Sequence, residues 1–455
     1  MNLKKSLVCI IVVLAVCAVI GISLFNIPHL PKGNLIIRDN SGKTMAYYSV
    51  DDKELNLTDI DFGDYCETVI AETLAILQDD FKGISREKLL NSDISIETNF
   101  CEKTFNCLKT AMDNVDFSDG KSAEAVVTDI NGRIIASAAR NGEEREITYP
   151  HKLGSAIKPL SVYAPALRSG DINWATMIED SPIKTKGLNQ NGDWPANYEG
   201  VYSHKNISLK QAIAKSVNTA AVKVMDMMGA TKASDFLEEL EIKLPYEKRL
   251  AAGQEYREIY GCLALGELKD GVTAQQVAAA YGIFASGGKF TKGYTVKEIK
   301  NGKKILYRVE PETKAVLDES DSEIMNLLLR GVVSDEGTAP NAQIDGLKIG
   351  GKTGTSQGYK DNWFIGFSPD YVCAVWYGYE KAIEERGENA AIKIFADAFS
   401  GFEHKTADFP HSEETVELKY CVYSGMRAAE GCNVTAEGYF NKKNLPELCT
   451  RHREG

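Results

Sequence analysis

Apolar and polar positions change period along the chain. From Leu7 to Ile27 there is no charge, behind Lys4 and Lys5 and ahead of Pro28 and Pro31. An uncharged apolar run of about 20 residues spans a bilayer as a helix, and lysines on its N-terminal side predict a cytoplasmic N-terminus with the remaining chain outside. The alternative is a cleaved leader, whose apolar core runs to only about 7–15 residues. Residues 31–93 are polar and acidic, with one helical pattern at Cys66–Leu77, and read as an extracytoplasmic stalk or small domain. A second helical pattern covers Cys101–Met112. Next come two β-rich runs, starting at Ala125 and ending at Ala136, joined by Asn131-Gly132. That dipeptide predicts a hairpin with a type I′ turn, whose two central residues need positive φ. From Ser155 to about Ala285 the pattern is helical, with apolar residues at helical spacing over Leu209–Met228 and Thr273–Phe284. Strands follow at Leu347–Gly354, Trp363–Phe367 and Tyr371–Tyr377, the last two joined by Ser368-Pro-Asp370, and then a helix at Ala390–Phe399. Strands at both ends of a helical middle predict one α/β domain.

Composition narrows the function classes. The 455 residues carry 52 Lys and Arg against 64 Asp and Glu, a net charge of −12, and no basic stretch interrupts that balance. Nucleic acid is therefore excluded as a partner. With 44% hydrophobic and 25% charged residues the chain has material for a large core. Of ten cysteines, Cys9 and Cys17 lie in the apolar run, and the others fall in a compartment that permits disulfides, with connectivity open. Cys262 and Cys373, inside apolar runs, read as small buried hydrophobes. Cys432 and Cys449, in a loop-rich tail, are the better disulfide candidates. No His-x-x-x-His or Cys-x-x-Cys pattern supports a metal, and neither metal nor cofactor is expected.

The candidate chemistry begins at Ser155-Ala-Ile-Lys158, which opens a helical pattern and places a hydroxyl and an amine on one face. A neutral lysine there can deprotonate the serine, and the positive helix end favours developing negative charge. Alone the motif says little, because Ser-x-x-Lys also occurs at Ser85, Ser118, Ser181 and Ser286. Its company is more specific: Ser216-Val-Asn218 is the only Ser-x-Asn in the chain, and Lys352-Thr353-Gly354 the only Lys-Thr-Gly. Two rival motifs are set aside. Gly354-Thr-Ser356-Gln-Gly358 matches a nucleophile elbow, but that turn must lead into a helix and here a strand follows. His151 and His204 read as solvated loop histidines, with nothing to fix a triad.

The ordered trio around Ser155, Ser216 and Lys352 resembles the penicillin-binding transpeptidase family. The flanking text, His151-Lys-Leu-Gly-Ser155, Ser216-Val-Asn218-Thr-Ala-Ala221, Gly337-Thr338-Ala339 and Asp361-Asn-Trp-Phe-Ile-Gly366, is similar to the transpeptidase half of its bifunctional, class A members. The resemblance implies an α/β fold: an antiparallel sheet of about five strands flanked by helices, plus an all-helical subdomain. It implies an acyl-enzyme at Ser155 with Lys158 as the activating base. Ser216 relays a proton to the leaving amine, Asn218 binds the substrate peptide, and Lys352 supplies positive charge. Thr353 and Thr355 hold the substrate carboxylate, and Gly354 leaves room for its backbone. The N–H groups of Ser155 and Thr355 form the oxyanion hole.

On this reading residues 1–30 are a cytoplasmic tip and anchor, 31–93 the stalk, 94–402 the transpeptidase domain and 403–455 a C-terminal extension. The roughly 65 residues between Pro31 and the hairpin-containing region, which begins near Ile94, are too few for the glycan-polymerising domain of class A members, a unit that normally needs about 100 or more, and at most a remnant is expected. The implied activity is D,D-transpeptidation of peptidoglycan stem peptides ending in D-Ala-D-Ala. β-Lactams are covalent inhibitors, and a separate glycan polymerase is a candidate partner. A D,D-carboxypeptidase or β-lactamase shares the same acyl-enzyme, and a silent cell-wall-binding scaffold or β-lactam sensor is the non-enzymatic alternative.

Overall fold

The computed structural model describes residues 33–118, 120–140, 149–183, 193–243, 256–379, 389–406 and 408–452. The anchor expected over Leu7–Ile27 lies outside them. Among the described residues no helix is long and apolar enough to cross a membrane. The chain forms two compact units, one of residues 1–99 and 295–309, the other of 100–294 and 310–455.

In the smaller unit six short strands make one sheet, in the order Lys304–Arg308, Val296–Asn301, Ser95–Thr98, Ile36–Arg38, Thr44–Ser49, Glu54–Leu57. Only Ile36–Arg38 and Ser95–Thr98 run parallel. Glu72, on the helix Gly63–Leu77, accepts from Thr295 N at 2.7 Å, Thr295 Oγ1 at 2.6 Å and Val296 N at 3.2 Å. This differs from the stalk expected over 31–93: the sheet takes in Ser95–Thr98 and the hairpin at 296–308, stretches the sequence reading left inside 94–402. Strands of three to six residues carry too little alternation to be read from pattern alone.

The larger unit is built on a fully antiparallel five-stranded sheet, ordered Gly350–Thr355, Asp361–Phe367, Tyr371–Tyr379, Lys121–Asp129, Ile134–Arg140. Both faces are covered, so Asp361–Phe367 is buried at every position, and from Trp363 to Phe367 it reads as a continuous apolar run rather than an alternating one. Phe364 and Gly366 face the helix Ala390–Phe399, through Phe395, while Phe367 faces Phe284 beyond the helix Ala274–Tyr281. The second face carries the helical layer, which includes Leu209–Ala214, Asn218–Met228, Ala230–Glu239 and Tyr256–Leu265.

Two local expectations are corrected. The Asn131-Gly132 turn is not type I′, because only Gly132 has positive φ, at 80°. Gly132 N instead bonds to Asp129 O at 3.1 Å, and Asp129 Oδ1 accepts from the N–H groups of Asn131 and Arg133, both at 2.9 Å. The Asp129 carboxylate thus makes a longer loop competitive with the two-residue hairpin. The helical run Leu209–Met228 is broken between Ala214 and Asn218, with consequences for the site.

Phe395 is fully buried, 4.8 Å between ring centroids from Phe364 and 4.5 Å from Phe399. A Cβ on Gly366 would lie 2.4 Å from the Phe395 ring. Phe395→Ala is expected to cost about 3–5 kcal/mol by leaving a cavity. Gly366→Ala is expected to cost about 1–3 kcal/mol by overpacking the same interface. Urea unfolding followed by tryptophan fluorescence measures both.

Candidate active site

Ser155 sits half-buried in the 3-10 turn Gly154–Ile157, which runs through Lys158 into the turn Pro159–Tyr163 and the helix Ala164–Arg168. The turn lies against the edge strand Gly350–Thr355 at backbone contact. Gly154 has φ 52°, and a Cβ there would lie 2.2 Å from Thr355 O. A Cβ on Gly354 would lie 2.2 Å from Leu153 O. Glycine at both positions is therefore a condition for docking the serine turn on the strand. Expectation assigned Gly354 to make room for substrate; its Cα instead faces Leu153 and Ala156. Lys352 pairs with Ile365 and Gly354 with Trp363, so both share the sheet face that carries the helical layer.

The helix break places the second element. Ser216 takes φ 55°, a left-handed conformation unusual for a residue with a Cβ, and it turns the chain from one helix into the next. Its hydroxyl receives Lys352 Nζ at 2.8 Å and Lys158 Nζ at 3.4 Å. Lys158 Nζ also donates to Ser216 O at 2.7 Å and Asn218 Oδ1 at 2.6 Å. The amide of Asn218 is oriented by its nitrogen, which donates to Ala196 O at 2.6 Å. Lys352 Nζ further donates to Thr353 O at 3.1 Å. No side-chain hydrogen bond joins Ser155 to Lys158 or any other described residue.

Both lysines are completely buried. Burial pushes the Lys158 amine well below its ordinary value, and the charge of Lys352 pushes it further the same way. Burial alone lowers Lys352 to about 7. A neutral Lys158 amine has two hydrogens, enough for Ser216 O and Asn218 Oδ1, so at the longer 3.4 Å contact with Ser216 Oγ the amine offers its lone pair, which can accept a proton.

Residues 123–400 match the family model for the penicillin binding protein transpeptidase domain. The chain belongs to that family. Penicillin-binding protein 1A of Clostridium botulinum is 31% identical over 299 residues, 63% of this chain and 34% of its own length. Penicillin-binding protein 1A of Aquifex aeolicus is 32% identical over 305 residues, 62% of this chain and 39% of its own length. The chain thus spans little more than a third of these curated relatives. Among solved structures, the D,D-transpeptidase domain of a peptidoglycan glycosyltransferase from Eggerthella lenta superposes with a TM-score of 0.61, covering 82% of this chain and 98% of that one at 18% identity. PonA1 of Mycobacterium tuberculosis in complex with penicillin V gives 0.63, at 19% identity, covering 76% of this chain and 95% of that one. These likenesses establish the transpeptidase fold.

Within this penicillin-binding fold, Lys158, Ser216, Asn218 and Lys352 converge in one hydrogen-bonded group. Thr353 and Thr355 lie half-buried on the edge strand, and Thr353 Oγ1 is 2.9 Å from Thr338 Oγ1. Ser356, the rival serine, is committed elsewhere: its hydroxyl donates to Asp361 Oδ2 at 2.6 Å, and only a short turn separates it from the next strand. His204 is exposed, as expected.

Sequence reasoning missed two supports. One is Asn197, whose Oδ1 accepts from the N–H groups of Asn218 at 3.0 Å and Thr219 at 3.1 Å, capping a helix whose own N-cap, Val217, has no polar side chain. Asp180 holds Asn197 at 2.6 Å and Thr219 at 2.7 Å. Burial raises its carboxyl, but bonds from Thr219, Ser203 and Asn197 outweigh that and keep it low. The other is His151, which expectation left in solvent. It is buried, stacked on Trp376 with ring centroids 3.7 Å apart, with Nε2 3.1 Å from Glu124 Oε1 and Nδ1 3.6 Å from Asp361 Oδ1. Burial opposes its charge, yet the two carboxylates prevail and raise its pKa above 6.5. Glu124, charged and set between Ala123 and Ala125 in a strand buried at nearly every position, was the available signal.

A histidine raised in the folded state adds stability that is full below the unfolded pKa and lost as pH climbs through the folded one. The stability difference between the parent and His151→Gln is therefore expected to be largest below about pH 6.5 and to shrink above it. The two lowered lysines act in the opposite sense, but they are common to both proteins and cancel in the difference. Urea midpoints measured across pH test this.

Proposed function

We propose that the chain is a D,D-transpeptidase of peptidoglycan synthesis acting through a Ser155 acyl-enzyme. The reading is carried by the convergence of two buried lysines of lowered basicity on the Ser216 hydroxyl, beside the serine turn. Lys158 Nζ takes the proton of Ser155 Oγ as that oxygen attacks the carbonyl carbon of the penultimate D-Ala. The N–H groups of Ser155 and Thr355 receive the oxyanion. Ser216, hydrogen-bonded to both lysines, passes a proton to the leaving amine, and D-Ala departs. An amine of a neighbouring strand then attacks the ester, with Lys158 again as base, and releases Ser155.

The edge strand Gly350–Thr355 has a free side in its sheet, which suits a substrate peptide lying alongside as an added strand. Thr353 and Thr355 with Lys352 bind the terminal carboxylate, and Asn218 the peptide amide. β-Lactams occupy the same place and acylate Ser155. Leu7–Ile27 anchors the domain outside the cytoplasmic membrane, where the substrate lies. A separate polymerase supplies the glycan.

Labelling the purified chain with a fluorescent penicillin tests the reading. A stable adduct is expected, retained in Ser356→Ala and lost in Ser155→Ala. Absence of an adduct on folded protein would refute it, and rapid β-lactam turnover would replace transfer with hydrolysis.

The lysine pair adds a pH test. Acylation needs neutral Lys158, so its rate rises with pH through the pKa of that amine. In Lys352→Ala one of the two causes lowering that pKa is gone. The acid limb of the pH–rate profile is expected to move to higher pH, with a loss of roughly 100-fold or more in maximal rate.

A further inference from the structure

Cys432 and Cys449, the tail cysteines expected to be the better disulfide candidates, form none: the eight described cysteines are free thiols. Cys421, Cys432, Cys449 and His452 instead surround one point, with all four ligand atoms within 4.8 Å of one another. The imidazole Nδ1 lies 3.5 Å from Cys421 Sγ, 3.6 Å from Cys432 Sγ and 3.5 Å from Cys449 Sγ. A nitrogen equidistant from three sulfurs is not the geometry of a disulfide. In a tetrahedral site with metal–sulfur bonds of about 2.3 Å and a metal–nitrogen bond of about 2.0–2.1 Å, each sulfur–nitrogen edge is about 3.6 Å. We infer that Cys421, Cys432, Cys449 and His452 form a structural zinc site of Cys3His type.

The backbone delivers these ligands. Cys421 ends the strand Thr415–Cys421, which pairs with Thr435–Asn441, and Cys432 lies in the loop between them. Cys449 returns to that loop through Cys449 N to Arg427 O at 2.8 Å and Arg427 N to Glu447 O at 2.9 Å. Ala429 N–H donates to Cys432 Sγ at 3.4 Å, and the Ser424 hydroxyl donates to Cys449 Sγ at 3.3 Å, contacts that orient sulfur ligands. Cys421 and Cys449 are fully buried. Four protein ligands leave no open position, so the site is structural rather than catalytic. On binding, the three thiols lose their protons to solvent and zinc takes three thiolates and one neutral imidazole. Three cysteines also cannot all pair as disulfides, so oxidation leaves one over.

The site explains how an isolated two-stranded ribbon, marginal by itself, keeps one shape. The ribbon lies against Trp174, 5.2 Å from the Tyr439 ring, and a Cβ on Gly425 would lie 2.4 Å from Ala175 O. Asn441 Nδ2 donates to Asp318 Oδ2 at 3.1 Å and Asp321 Oδ1 at 3.0 Å at the start of the helix Glu319–Arg330. The metal would hold the ribbon against both segments.

The full chain, reduced and stripped with a chelator, is titrated with Zn2+ against a chromophoric competitor and, in parallel, with Co2+. Expected are about one metal per chain, the absorption of tetrahedral thiolate-bound Co2+, and a higher melting temperature with Zn2+ than without. Cys432→Ser and His452→Ala should each weaken zinc binding by more than the roughly 100-fold that loss of a residue behind a ligand costs. His452→Cys should keep the metal with an altered Co2+ spectrum, and Cys101→Ser should change nothing, which separates ligand loss from misfolding. The inference is overturned if the reduced, folded chain takes up no Zn2+, if Cys432→Ser and His452→Ala bind as tightly as the parent, or if two of the three cysteines pair in the presence of zinc.

Discussion

Placing two primary amines in a dry interior within reach of one hydroxyl is the constraint on which the larger unit depends. An ammonium ion moved from water to the interior without a counter-ion is among the costliest changes a fold can contain. Among the described residues no carboxylate bonds to either amine; their partners are the hydroxyl and carbonyl of Ser216, the amide of Asn218 and the carbonyl of Thr353. The interior settles the cost by lowering the basicity of Lys158 and Lys352 instead of neutralising them with acid. That choice leaves an amine able to accept a proton near neutral pH, which an ion pair would have prevented.

The surroundings hold that arrangement at three places. Gly154 and Gly354 let a turn and a strand touch at backbone distance, so the lysine on the strand and the lysine after the turn meet at Ser216. Asn197 and Asp180 fix the helix start that carries Asn218. His151, held between Glu124 and Asp361, whose carboxylates raise its pKa against the effect of burial, fixes the chain just before the serine turn, while Lys152 O accepts from Trp363 Nε1 at 2.9 Å. The charges needed for rigidity are kept in the His151 group, separate from the lysines. A carboxylate bonded to Lys158 would raise its pKa and oppose the base role proposed for it.

The candidate site was legible because the proposed chemistry tolerates few residue types: Lys158, Ser216, Asn218 and Lys352 could be named from three short motifs, and the fold joins them in one hydrogen-bonded group. The main sheet was legible because its strands are long or carry continuous apolar runs, as Trp363–Phe367 within Asp361–Phe367 shows. Their supports were not. Asn197 and Asp180 are ordinary polar residues in loops, made important only by which N–H groups the fold brings to them. The break at Ser216 was invisible for a similar reason: its flanks have helical periodicity, and the left-handed φ is imposed by what the residue must touch. The smaller unit failed on length, since its sheet is completed by a hairpin some two hundred residues downstream of its other strands.

The C-terminal cysteines show how a motif search fails in the opposite direction. Cys449 and His452 stand three apart, a spacing that lets two side chains of one turn meet a metal, but a search for Cys-x-x-Cys and His-x-x-x-His passes over it. Cys421 and Cys432 add no regular interval, because one ends a strand and the other lies in a loop closed by Cys432 N to Ala429 O at 3.0 Å. Cysteine count in an export compartment favours disulfides as a prior, and that prior depends on parity. Around His452 the local number is three, and parity there argues for a shared metal over a pair and a leftover thiol. Position in the fold, rather than totals along the chain, decides which chemistry a thiol can enter.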